Sequence, residues 1–173
     1  MPGNVDLRTA LDKAAKLEVS REYYGEEIEQ LRFEFGHKIT VLPHDYGPYR
    51  RNEPEPTCYG FAFGLANDPR YLQLVKAGRG GQKDVTVLLQ AREPKILRRR
   101  LVHARVGDVV LYFSNDRVRH AGIVITPAER IRSKWGPAEV HEHELWEVPL
   151  SYGNTAVMYL RPSAERILKK WAA

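Results

Sequence analysis

The residues of this chain that could carry covalent chemistry are few: one cysteine and six histidines. The cysteine, Cys58, lies near the start of "TCYGFAFGLA" (57–66). A thiol attacks as its thiolate, and its ordinary pKa of about 8.5 falls at a helix N-terminus or beside an imidazole. Thr57 is a favoured N-cap residue, which would put Cys58 in the first turn of a helix. Cys58, Phe61, Ala62 and Leu65 also recur at i, i+3, i+4 and i+7, the buried stripe of an amphipathic helix. Free cysteine is commonly a small core residue, so this local pattern by itself favours a core thiol. A nucleophile would need an imidazole within reach and a third group to orient that imidazole.

The histidines are His37, His44, His103, His120, His141 and His143. His120 is the informative one, because it stands in "VRHAGIVI" (118–125). On a strand, His120, Gly122 and Val124 share one face, while Ala121, Ile123 and Ile125 share the other. Ala121 and Gly122 have almost no side chain, which leaves room beside the imidazole for a helix end or a substrate. A core histidine with a satisfied hydrogen bond fits the same pattern. The "HEH" at 141–143 offers two imidazoles on one face of a strand, but no Cys or Asp partner at a zinc spacing. "GRGG" (78–81) is followed by no Gly-Lys-Ser/Thr, so it is no phosphate loop. No metal or cofactor is expected.

The elements that must position these residues follow from period and punctuation. Residues 5–35 have helical spacing, with Gly25 a candidate break between two helices. "GHKITVL" reads as a short strand. "PHDYGPYRRNEPEPT" (43–57) carries four prolines and reads as a loop leading into the Cys58 helix. Residues 69–84 form a helix running into a Gly-rich turn, and "VTVLLQA" fits a strand or a buried helix. "VGDVVLYFS", "RVRHAGIVIT" and "RIRSKWG" then make a meander of three strands joined by "ND" and "PAE". A last strand near "TAVMYL" precedes a short helix capped by Ser163. Helices first and strands later predict an α+β fold, with the Cys58 helix packed on an antiparallel sheet.

Three stretches, "CYGFAFGLA", "ARVGDVVLYF" and "RHAGIVI", in that order, resemble the NlpC-type papain-like cysteine peptidases and their amidase relatives. The resemblance spans about residues 55–135. It implies a papain-like fold in which Cys58 is the nucleophile and His120 the base, with Gly107 and Asp108 a structural pair at the strand's start. The family's third residue sits on the next strand and is usually His, Asn, Gln or Asp. Here that strand offers Ser133 and Lys134, which departs from the pattern. A subgroup of uncharacterised bacterial domains is more similar, with counterparts at Ser133, Lys134 and Gly136, then Glu142 and His143, then Tyr152 and Gly153. That likeness makes His143 the first choice of orienter, ahead of Ser133 and His141. The Cys58 backbone N–H would serve as oxyanion donor, with His44, Tyr46 or Tyr49 as side-chain candidates.

The 173 residues fit one domain, read as a helical extension (1–45), a papain-like core (46–160) and a C-terminal helix (161–173). Forty-three per cent hydrophobic and 28% charged residues are those of a globular protein. A single cysteine excludes an intrachain disulfide, so no oxidising compartment is implied. The polar opening is no secretory leader, and no run approaches about 18 apolar residues. The expectation is a cytoplasmic protein, or one exported without a cleaved signal, and no membrane partner. The net charge of +5 is mild and the aromatics lie in apolar runs, so nucleic acid is not expected as a partner. The expected activity is a cysteine hydrolase cleaving an amide or related acyl bond in a peptide-like or acyl substrate. The alternatives are an acyltransferase or deamidase of the same fold, and a catalytically silent binding module.

Overall fold

The computed structural model describes residues 4–16, 21–42, 56–90, 98–99, 103–127, 130–135 and 140–173. Its elements are α1 (Val5–Lys16), α2 (Arg21–Phe35), β1 (Thr40–Leu42), α3 (Cys58–Ala62), α4 (Pro69–Lys76), α5 (Gln82–Gln90) and β2 (Arg98–Arg99). They continue with β3 (Val109–Ser114), β4 (Arg117–Thr126), β5 (Arg130–Lys134), β6 (Val140–Glu144), β7 (Thr155–Tyr159) and α6 (Ala164–Ala172). The strands form one antiparallel sheet in the order β1-β6-β5-β4-β3-β7-β2. The coarse α+β expectation therefore holds. Among the described residues, no helix is long and apolar enough to cross a membrane.

The meander comes from strong local signals. Asn115 and Asp116 both take positive φ, at 49° and 60°, which lets a two-residue turn match the right-handed twist of β3 and β4. Gly107, at φ 89°, donates its N–H to Val124 O, and Val124 returns its N–H to Asp108 O. Asp108 Oδ2 also accepts from Arg105 N–H, so the Gly-Asp pair fixes where β3 begins.

Strand alternation divides the apolar residues between two cores. Val110, Tyr112, Val124, Ile131 and Met158 face α1 and α2, which contribute Leu7, Leu11, Ala14 and Ile28. Val109, Leu111 and Ala121 face the other helices, which bury Tyr59 and Ala62 of α3, Tyr71 of α4, Val85 and Leu88 of α5, and Ile167 and Trp171 of α6. A sheet covered on both faces explains the near-continuous burial of β3 and β4. Helices α1 and α2 lie over one of these faces, and β1 joins the sheet beside β6.

Two local expectations differ, and one left open is decided. Gly25 is no break between the first two helices, because it lies inside α2 (Arg21–Phe35). "VTVLLQ" (85–90) lies in the helix α5, because Val85 and Leu88 are buried while Val87 between them is exposed, a spacing a strand cannot give. The Cys58 helix is also shorter than the stripe to Leu65 suggests. It stops at Ala62, where Gly64 takes φ 72° and Leu65 N–H bonds back to Gly60 O at 2.7 Å. That is a Schellman stop, and it keeps Leu65 buried without a helix beneath it.

Candidate active site

Thr57 caps α3 as its residue type predicts: its side chain accepts from Gly60 N–H at 3.3 Å. The Tyr71 hydroxyl reinforces the cap from below, bonding Thr57 N–H at 3.2 Å and Thr57 Oγ1 at 2.8 Å. Gly60 makes this possible, since a Cβ there would lie 2.2 Å from the Tyr71 ring. Cys58 is thus the first residue of a helix tied down by a fully buried tyrosine.

Cys58 is half-buried as a residue, but its thiol is enclosed against the core that includes Tyr59, Leu65 and Ala121. Burial pushes its pKa up to about 11. The backbone N–H groups of Ala121, Tyr59 and Cys58 itself, together with the Lys134 charge, pull the other way without overcoming it. The contact with Ala121 has a topological cause. Pairing between β4 and β5 runs from Thr126↔Arg130 to Ile123↔Arg132, whereas β5 follows β6 on to Lys134↔Val140. Val124 N–H points toward β3, so alternation turns Ala121 N–H toward the β5 side. There the ladder has ended and the Cys58 sulfur lies instead.

His120 is 1% exposed and sits on the other face of β4, with Gly122 and Val124, as the alternation predicts. Its ring stacks on Tyr152, centroids 3.9 Å apart and planes 17° apart, and tilts against Tyr112 at 5.7 Å. Its Nε2 is buried with no hydrogen-bond partner among the described residues. Burial holds its pKa well below 6.5, and the His143 and His141 charges add to this. His120 is therefore a neutral imidazole at neutral pH, and the same burial disfavours its protonated form. The space expected beside it is partly filled: a Cβ on Gly122 would lie 2.6 Å from Ile131 Cγ2 and 3.1 Å from Ser133 Cβ. The structure brings the thiol to the peptide N–H next to His120, and no hydrogen bond joins the two side chains among the described residues.

His143 is fully buried but turned elsewhere. Its Nδ1 lies 2.7 Å from Glu144 O, a carbonyl that can only accept, so Nδ1 carries the proton. Nε2 then accepts from the Ser133 hydroxyl at 2.8 Å, and Ser133 Oγ accepts from Trp135 Nε1 at 2.8 Å. Both ring nitrogens of His143 are thus engaged away from His120. Burial first, with the Arg130 charge, pushes its pKa down to about 4 against the pull of the Glu144 carbonyl. His141 is buried and stacks on Trp135 at 4.2 Å. His37 bridges Ile28 O and Ile39 N–H, a structural tether, and His103 is exposed. His44, Tyr46, Tyr49 and Gly136 lie outside the described residues.

Sequence reasoning missed Tyr112, Trp135 and the role of Tyr152 around His120. Single aromatics in apolar strands carry no signal of which face they line; the pair Tyr152-Gly153 was the only cue. Among the described residues, no group of three His, Cys, Asp or Glu is placed to hold a metal. No family model, curated protein or solved structure matches this chain.

Proposed function

We propose that this chain is a papain-like thiol hydrolase of the peptidase or amidase class, with Cys58 as nucleophile and His120 as general base. The observation that carries it is the buried, neutral His120 with an unpartnered Nε2, one residue from the N–H that faces the Cys58 sulfur. A buried imidazole with an unmet nitrogen is costly unless that nitrogen has work to do. In the proposed step the Cys58 proton passes to His120 Nε2 as sulfur bonds to the substrate carbonyl carbon. His120 then gives that proton to the leaving amine as the C–N bond breaks, and water resolves the thioester. The N–H groups at the start of α3 are the oxyanion donors. The substrate class is a peptide-like amide or related acyl compound.

A silent binding module of the same architecture is the second reading, favoured by a thiol held near 11 by burial. Native alkylation by iodoacetamide at neutral pH separates the two. Burial raises the thiol from 9.0 to about 11, so an unassisted Cys58 should react about a hundredfold slower than a free thiol. Proton transfer to His120 should lift the rate above that floor, and His120→Ala should return it there. A rate already at the floor, indifferent to His120→Ala, sinks the enzyme reading.

A further inference from the structure

The first helix holds a buried arginine that the proposed chemistry does not use. Arg8 is 1% exposed; its Nε donates to Val148 O at 3.1 Å, and its Nη2 donates to Pro149 O at 3.4 Å and to Gly153 O. The guanidinium also lies over the Trp146 ring, 5.4 Å from its centroid. One turn along α1, Asp12 Oδ1 accepts from Ser151 N–H at 3.2 Å and from Ser151 Oγ at 2.5 Å. Burying a guanidinium is unfavourable unless its donors are met. Here Nε and Nη2 are met by the backbone of one short segment, residues 148–153. The opposite side of that segment is pinned to β3. Gly153 has φ 114°, a Cβ on it would lie 2.1 Å from Phe113 O, and Asn154 N–H donates to the same oxygen at 3.0 Å.

What the pinned segment presents is Tyr152, the ring stacked on His120. Trp135 backs Tyr152 edge-on at 6.2 Å, and Tyr112 leans on His120 from β3. We propose that Tyr152 is the positioning residue of the His120 imidazole, and that Arg8 and Asp12 make α1 the clamp that sets it. This rests on the reading of Cys58 and His120 as the reacting pair. With Nε2 unpartnered and His143 bonded elsewhere, aromatic packing does for His120 what a polar third residue does in a triad. The plane of the ring decides whether Nε2 can meet the sulfur, and misplacement by about 1 Å costs about a hundredfold.

The test combines His120 ring-proton NMR shifts with the pH profile of Cys58 alkylation. Tyr152→Leu keeps an apolar side chain and removes the ring face. It should abolish the ring-current shift of His120 and slow the His120-dependent part of alkylation by about tenfold or more. Tyr152→Phe, which keeps the stacked ring, should restore the shift and most of the rate. Arg8→Met should behave as Tyr152→Leu although it touches neither reacting residue. Should those variants not fold, Ser151→Ala loosens the clamp from an exposed position and should reduce both signals partially. A folded Tyr152→Leu with wild-type shifts and profile overturns the proposal, as does a Ser151→Ala with neither signal changed. If His120→Ala leaves alkylation unchanged, the reacting pair itself is refuted, while the ring shifts still decide the clamp.

Discussion

Acidification should unfold this chain earlier than its carboxylates alone would, and His143 is the reason. The neutral ring is fully bonded in the fold: Nδ1–H donates to Glu144 O, and Nε2 accepts from Ser133 Oγ. A second proton on Nε2 would make the Ser133 oxygen, which already accepts from Trp135 Nε1–H, accept twice, and would take from the Ser133 O–H the nitrogen it donates to. The charged ring would also face the Arg130 charge, and His120 lies within electrostatic reach. Its folded pKa is therefore about 4, whereas the unfolded chain restores 6.5. A base whose pKa is depressed by folding is neutral in both states above 6.5. Between 6.5 and about 4 the unfolded chain binds the extra proton, so stability falls as pH falls through that window. At 1.36 kcal/mol per pH unit the loss is about 3 kcal/mol. His120, also depressed by burial, acts in the same direction. The assay is urea unfolding from about pH 7.5 to about pH 4.5 for the wild type and His143→Gln. The variant should start lower and show a shallower slope, so the two curves converge by about 3 kcal/mol toward pH 4. Parallel curves across the window would refute the reasoning.

Other expectations test the mount of the thiol. Gly60→Ala drives a methyl into the Tyr71 ring and should cost about 1–3 kcal/mol in thermal or urea unfolding, with slower Cys58 alkylation. An unchanged melting temperature would mean that Tyr71 is not the fixed floor described. Lys134→Met removes the positive charge that favours the thiolate, so the alkylation midpoint should move to higher pH; a shift downward would contradict the placement of that charge. Gly153→Ala adds backbone strain and a contact with Phe113 O that cannot relax, costing about 2 kcal/mol or more in urea unfolding. A neutral Gly153→Ala would show that the Tyr152 segment is not pinned to β3.

Much of the fold was legible because its signals were local. The "ND" turn, the Gly-Asp start of β3, the alternation in β4 and the Thr57 cap are all decided within a few residues. The failures came where tertiary context outweighed such signals. The β-branched run of α5 fits a strand or a buried helix by period alone, and only burial selects Val85 and Leu88, while the stripe toward Leu65 conceals a Gly64 stop. The faces that Cys58 and His120 occupy are readable from their elements, but the local pattern of each also fits a core residue, and it is the family resemblance that singles them out. The surroundings of His120 are not readable, because Tyr112, Trp135 and Tyr152 come from three separate segments that meet only in the folded sheet. His143 was chosen by likeness, and no sequence rule states which acceptor a buried imidazole will find.

The proposed chemistry depends most on where β4 and β5 part. Cys58 approaches β4 from the α3 side and His120 leaves it on the α1 side, so a continuous ladder would place a row of peptide hydrogen bonds between sulfur and imidazole. The ladder is not continuous. β5 leaves β4 beyond Arg132 yet stays paired with β6 to Lys134, and Ala121 N–H turns into the resulting seam toward the thiol. In the proposed step a proton passing from Cys58 to His120 therefore crosses where β4 has run beyond its pairing with β5. The same parting brings the Lys134 charge near the sulfur, which favours thiolate just where a thiolate must form. Had pairing continued to Ala121, its N–H would be spent on a strand partner and turned away from the thiol.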